Sequence, residues 1–419
     1  MFSKNQLPGL TKLNIRLRNN VFYILIVCYA FVQNASSSSS CRIKWGSSLP
    51  VWYPLVFNNA GIIYPHRTGN NSDWSLLIEH NGDFNISCTT AGDFHGYNVS
   101  DLKVHCHGAT HKTIVNKKPV DFSKLGCKKH LQEKLVAVGK CYNQSTSVDI
   151  LFQAKYKRLP LINICHNENL DDTIFAHHFI EGSALNKFEV SNKRPTFKEG
   201  IFYTKITANN AYKQTSQLKQ VESLVCSESL AKKYIDKKRS FYFARGHLAP
   251  DGDFVHVYEQ NATYFYINVS PQWQSINNGN WKALEFAVRT YAKDRNAKLE
   301  VWTGGKNVLK LEDVNGNPVE IYLSKEHKGK LVLPVPEILW KVVHDLARNA
   351  SVAVFMINNP HLTEVPSSLT HCSCVCPQIS WVTWDIKNII KGYTYCCEID
   401  SVKKLLPFLP EIKSGQLLT

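Results

Sequence analysis

Apolar and polar positions follow two rhythms along this chain. Five runs are rich in β-branched and aromatic residues: TIFAHHFI (173–180), SFYFARGHLAP (240–250), TYFYINVSP (263–271), LEVWTGG (299–305) and SVAVFMI (351–357). Bounded by turn residues, such runs predict strands. Three others read as helices: QLKQVESLVCSESLAKKYI (217–235), NGNWKALEFAVRTYAKD (278–294) and PEILWKVVHDLAR (336–348). In the second, Trp281, Leu284, Val288 and Tyr291 recur at spacings of three, four and three, which puts them on one helical face. The interleaving predicts an α+β domain over 158–405 on one mixed, mainly antiparallel sheet. His177 and His178 are neighbours in a strand pattern, so one of them faces the core, where a structural role is expected.

Ahead of that domain, 41–157 is rich in Cys, Asn, His and Gly, with short apolar runs such as SLLIEH and KLVAVGK. This predicts a small, disulfide-stapled β-rich module. Further upstream, twelve apolar residues (21–32) follow Lys4, Lys12, Arg16 and Arg18 with no acid among them, and QNASSSSS comes next. Twelve residues fall short of the roughly twenty that span a bilayer, so a signal peptide over 1–35 is expected, with cleavage near Ala35 to Ser37, and no stable membrane anchor. A mitochondrial transit peptide is the rival reading, and an uncleaved anchor a third.

Cysteine usage separates these readings. Of thirteen cysteines, Cys28 lies in the apolar run, which leaves twelve: Cys41, Cys88, Cys106, Cys127, Cys141, Cys165, Cys226, Cys372, Cys374, Cys376, Cys396 and Cys397. An even number spread along the chain reads as an oxidised, secreted extracellular scaffold. Asn70, Asn85, Asn98, Asn143, Asn261 and Asn349 each open an N-x-S/T triplet, which agrees. The alternating Cys372, Cys374 and Cys376 with Cys396, Cys397 and His371 lacks the usual zinc-knuckle spacing, so disulfides are expected there.

With 44% apolar and 20% charged residues, wholesale disorder is excluded. Lys plus Arg outnumber Asp plus Glu by 49 to 34. A basic body of this kind favours a polyanionic partner, nucleic acid or an acidic surface.

Two segments carry candidate chemistry: FARGHLAPDGD (243–253) and NVSPQWQSINNGNWKALE (268–285). His247 titrates near neutrality and can take a proton from water. Gly246 permits a close approach that a side chain would block. Asn277 offers a hard carbonyl oxygen suited to Mg²⁺, an ion that keeps most of its waters. Glu285 lies eight residues further on, roughly 12 Å along a helix at about 1.5 Å per residue, a reach suited to holding a metal-bound water. Arg289, one turn beyond, can meet a phosphate. Trp273, in the turn, could stack on bases, whereas Trp281 belongs to the core. KEHKGK (325–330) reads as a solvated basic loop.

These residues resemble those of the DNA/RNA non-specific endonucleases. Arg245-Gly246-His247 is similar to the family's histidine motif. Asn268, Asn277 nine residues on, Glu285 eight after that and Arg289 four later are similar to its second motif. The resemblance covers about 160 to 400 and implies a ββα-metal (His-Me finger) nuclease fold with Mg²⁺, or Mn²⁺, as cofactor. It implies His247 as general base, Asn277 as direct metal ligand, Glu285 acting on the metal through water, Asn268 positioning the site, and Arg245 and Arg289 contacting phosphate. It also implies DNA and RNA as substrates and 5′-phosphate products. RGHLAP, the leader and the cysteine-rich front module resemble the secreted arthropod branch, which includes double-stranded-RNA and duplex-specific nucleases. One departure is Ala244, where the family often carries an acid. It motivates an alternative: a catalytically impaired, nuclease-derived nucleic-acid-binding secreted protein. Asn268 also opens an Asn-x-Ser triplet, which is expected to be unglycosylated, because a glycan would block the cleft.

Overall fold

The computed structural model describes residues 41–46, 49–67, 74–78, 82–107, 112–115, 118–185, 194–412 and 415–419. The expected signal peptide, its cleavage zone and the Asn70 triplet lie outside these residues. Among the described residues no helix is long and apolar enough to cross a membrane.

A nine-stranded sheet organises the domain. In chain order its strands are β1 (Lys134–Lys140), β2 (Thr146–Gln153), β3 (Arg158–Asn167) and β4 (Asp172–Glu181). A separate hairpin follows, β5 (Phe243–His247) with β6 (Val269–Trp273). The large sheet then continues with β7 (Lys298–Val308), β8 (Pro336–Asp345), β9 (Ala350–Ile357), β10 (Thr394–Cys397) and β11 (Gln416–Leu417). The spatial order is β10-β9-β8-β7-β4-β3-β2-β1, antiparallel throughout, with β11 added parallel to β9. The architecture is thus the expected α+β fold on a mixed, mainly antiparallel sheet. Since β1 and β2 already belong to this sheet, it starts ahead of residue 157, where the front module was expected to end.

The sheet lies between two apolar layers. On one face Trp302, Trp340, Phe355 and Tyr395 pack against Ile399, Val402, Leu406 and Ile412 of the C-terminal segment. The other face carries the hairpin and the helices. Helix α1 (Gln214–Val225) and helix α2 (Glu228–Tyr234) replace the single helix expected over 217–235. The chain turns at Cys226, which adopts φ 57°, and Ser227 caps α2 through its side chain. A short α3 (Val257–Ala262) follows β5, and α4 (Lys282–Asp294) follows β6. The face expected from its spacing is the buried one, with Trp281, Leu284, Val288 and Tyr291 all at most 3% exposed.

The segment 336–348 corrects the expectation of a helix. It is β8, held between β7 and β9 and buried along nearly its whole length. A strand covered on both faces is apolar at consecutive positions, so its pattern loses the alternation that marks a half-exposed strand. Likewise, the run 263–271 enters β6 only at Val269, after a short 3₁₀ turn.

The front module forms a three-stranded and a five-stranded sheet, stapled by Cys88–Cys127. Cys141–Cys165 ties the end of β1 to β3, and Cys372–Cys397 with Cys376–Cys396 pins the 372–376 loop to β10. The cysteine cluster is therefore a disulfide pair and not a zinc knuckle. Cys226 and Cys374 are free and exposed, so the even count does not place every cysteine in a bridge. The module docks on α3: Trp45, Tyr53 and Tyr64 surround the buried His256 ring, and the Tyr64 hydroxyl donates to Glu259 at 2.9 Å.

Candidate active site

The hairpin, the turn after it and α4 build one cleft of about 400 Å³. Two antiparallel strands followed by a helix give a ββα unit. The pairing sets Gly246 opposite Ser270 and His247 opposite Val269. Alternation along β5 then sends Arg245 and His247 to the same face, and both line the cleft. Gly246 faces the other way, where an added Cβ would lie 2.1 Å from the side chain of the buried Gln272. Close packing of the two strands is therefore what demands glycine beside the histidine.

From the helix side, Asn277, Lys282, Glu285 and Arg289 reach the same cleft. The last three share one helical face, at spacings of three and four. The turn before them is secured from afar: the Asn280 amide donates to Asp385 O and to Gly392 O, each at 2.8 Å. His247 and Asn277, thirty residues apart in sequence, thus meet around one cavity.

His247 sits between the rings of Phe197 and Tyr264, at centroid distances of 5.1 and 5.0 Å. Its Nε2 is buried with no hydrogen-bond partner among the described residues. Burial pushes its pKa down to about 4, with Asp251 opposing the shift, so at neutral pH the ring is an uncharged base. Burial likewise pushes Glu285 up to about 7, against the pull of Lys341 and Arg289. A cation in the cleft would favour its ionised form.

Asn268 lies behind the cleft, not in it. It is fully buried; its oxygen accepts from Ala249 N at 3.0 Å, and its nitrogen donates to Ala249 O at 2.8 Å and Thr263 O at 2.9 Å. That side chain clamps the backbone just past His247 and has no room for a glycan. Arg245 donates to the Tyr266 hydroxyl at 2.8 Å and to Asn209 at 3.0 Å, which leaves other N–H groups for the cleft. Arg289 donates to Asp253 at 3.2 Å.

Trp273 must be corrected. Its ring is fully buried, 4.1 Å from Phe243 and 4.8 Å from His361 between centroids, and so presents no face to a base. It occupies the end of β6, with its backbone N–H held by Asn358 at 3.1 Å, and not an open turn.

A hard cation fits the residues present. The side chains of Asn277 and Glu285 border the cleft and take no hydrogen bond from the described residues, while one oxygen of Asp251 is engaged by Tyr264 at 2.7 Å. Among the described residues no three His, Cys, Asp or Glu side chains form a ready cage, which suits an ion that keeps most of its waters. Basic groups dominate the wall: Arg194, Arg245, Lys282 and Arg289 against Asp251 and Glu285. That balance suits a phosphodiester.

Several contributors escaped the sequence reading. Asp251 and Asp253 lie inside the quoted 243–253 segment, yet nothing in it separates them from turn formers. Arg194, Phe197 and Tyr264 arrive through long-range folding and carry no local signal. His178, expected to be structural, is the core-facing member of its pair and touches Asp253 at 2.8 Å. His177 points to the opposite face, stacked on Trp302 and bonded to Glu300.

Residues 143–402 match the model of a known family, DNA/RNA non-specific endonuclease. Salivary protein Tsal1 of Glossina morsitans morsitans is 30% identical over 266 residues, 63% of this chain and 64% of that protein. A salivary endonuclease of Lutzomyia longipalpis is 30% identical over 251 residues, 59% of this chain and 58% of its own length. Salivary protein Tsal2A of Glossina morsitans morsitans is 23% identical over 392 residues, 89% of this chain and 94% of that protein. The chain thus spans about 60% of the length of the first two of these relatives.

Proposed function

Because the chain belongs to the DNA/RNA non-specific endonuclease family, we propose that it is a secreted, divalent-metal-dependent endonuclease that hydrolyses phosphodiester bonds in DNA and RNA. One observation carries the reading: His247, Asn277, Glu285, Arg245 and Arg289 line a single basic cleft. Bridged cysteines support passage through an oxidising compartment. So do salivary relatives.

His247, neutral at physiological pH, takes a proton from a water aligned with the phosphorus, and that water attacks in line. Arg245 and Arg289 neutralise charge that grows on the non-bridging oxygens. Lys282 and Arg194 hold the flanking backbone of the polyanion. The bond to the 3′ oxygen breaks, that oxygen takes up a proton from solvent water to leave as a 3′ hydroxyl, and the phosphate stays on the 5′ side. A Mg²⁺ or Mn²⁺ ion would be held by the Asn277 amide oxygen directly and by Glu285 through water, and when bound supplies further neutralisation of the phosphate. The nucleophile is solvent, so no ribose 2′-OH takes part, and the chemistry is open to both sugars.

The test is cleavage of plasmid DNA and long double-stranded RNA with and without EDTA, for the wild-type chain and for His247→Ala. Loss of cutting in EDTA, its return with Mg²⁺ or Mn²⁺, and an inert variant are expected. Cutting that survives both chelation and the substitution overturns the proposal. Ala244 favours one other reading, a nucleic-acid binder without catalysis. Salt-dependent binding with no cleavage by the wild type at any divalent-metal concentration would favour that reading instead.

A further inference from the structure

The reaction as written leaves unused a carboxylate buried behind the cleft. Asp253 is 4% exposed, in the turn after His247. Its two oxygens are shared between two partners: Oδ2 meets His178 Nε2 at 2.8 Å, and Oδ1 accepts from Arg289 at 3.2 Å. His178 comes from β4, Asp253 from the turn after β5, and Arg289 from α4. One side chain thus joins the sheet, the histidine segment and the helix.

The charge state follows from the surroundings. Burial disfavours an imidazolium and lowers His178, and its Nδ1 is buried with no partner among the described residues. A neutral ring with Nδ1 bare carries its hydrogen on Nε2 and donates to Asp253. Burial alone would raise the Asp253 carboxyl, but His178, Arg289 and Lys341 reverse the direction and hold it low. Lys341 is itself buried, its ammonium fixed by Thr303 Oγ1 at 2.6 Å. Asp253 is therefore the anion, and one of its oxygens is directed at the Arg289 guanidinium.

Arg289 is restrained on a second side. A Cβ at Gly252 would lie 3.0 Å from its Cζ and Nη1, so the guanidinium rests against the bare backbone of the turn. Its remaining N–H groups have no acceptor among the described residues, and the side chain lines the cleft. A long arginine held at one nitrogen, with the rest of its fork free, is preorganised for a phosphate.

We propose that Asp253 is a positioning residue that aims Arg289 at the scissile phosphate, with His178 holding Asp253 in turn. The inference rests on reading the cleft as a phosphodiesterase site. A double-mutant cycle in kcat and KM on plasmid DNA tests it, using Asp253→Asn, Arg289→Ala and the pair. Asp253→Asn keeps the shape and removes the charge; kcat should fall about tenfold or more while KM moves less than about threefold, since Arg289 acts on charge formed in the transition state. In the Arg289→Ala background the same substitution should cost less than about twofold, because its route of action is gone. Equal costs in both backgrounds would make Asp253 merely structural and overturn the inference, while wild-type cleavage would leave the proposed function standing.

A second pair of variants guards against misfolding of Asp253→Asn. His178→Gln, which retains a donor, should keep activity within about threefold, and His178→Ala should show the kcat loss of Asp253→Asn. Full activity of His178→Ala would also count against the relay. A wild-type chain that cuts nothing would remove the function and this inference together.

Discussion

Replacing Asn268 by Ala removes a side chain that makes three buried hydrogen bonds, at 3.0, 2.8 and 2.9 Å, all to backbone groups of Ala249 and Thr263. Each such bond nets about 1 kcal/mol, and a buried group left unpaired costs about 1–3 kcal/mol. The variant strands one N–H and two C=O groups, so a loss of about 3–5 kcal/mol is expected, below the roughly 5–15 kcal/mol that a domain has to lose. It should still fold in the cold. Ala249 lies two residues past His247, so a loosened clamp lets the histidine drift, and a shift near 1 Å costs about a hundredfold in rate. Urea unfolding followed by tryptophan fluorescence, with the slope held common, gives the stability term. Plasmid nicking well below both melting points gives kcat/KM. A variant within about 0.5 kcal/mol of wild type would refute the clamp. So would an activity loss at unchanged stability, which would put Asn268 in contact with substrate instead. Asn268→Asp should do worse than Ala, since a carboxylate oxygen would face two carbonyls.

Three more outcomes follow from the site. Trp273→Ala should destabilise by about 3–5 kcal/mol by emptying a fully buried pocket, while Trp273→Phe keeps specific activity in a nicking assay; a Phe variant that folds yet binds nucleic acid more weakly would contradict the burial. Gly246→Ala should cost about 1–3 kcal/mol through overpacking against Gln272, read by thermal unfolding, and unchanged stability would show that the strands have slack. With His247 lowered to about 4 by burial, its neutral form persists as pH falls, and the acid limb of kcat/KM should lie below the ordinary imidazole value near 6.5. The same depression costs stability below about 6.5, where the unfolded chain takes up that proton first. An acid limb at or above the ordinary value would contradict it.

Within the chain itself, local rules were enough wherever one element answers for itself. The spacing of Trp281, Leu284, Val288 and Tyr291 foretold a buried helical face, because a helix repeats every few residues and needs no partner to set its period. Gly246 before His247 announced a close approach, and the spacing from Asn277 through Glu285 to Arg289 pointed to a turn and a helix beside one cleft, whereas Asn268 lies behind it. The disulfide character of 372–397 also followed from residue types and spacing.

Tertiary structure alone decided the rest. PEILWKVVHDLAR became β8 because neighbours on both edges and layers on both faces erased its alternation. Trp273 went from stacking surface to core because Phe243 and His361 close over it. Asp253 is an ordinary turn residue by sequence; His178, from seventy-five positions away, makes it the pivot of three elements. Burial and electrostatics sum over neighbours in space, and those neighbours are brought together by long-range packing, which no stretch of adjacent residues encodes.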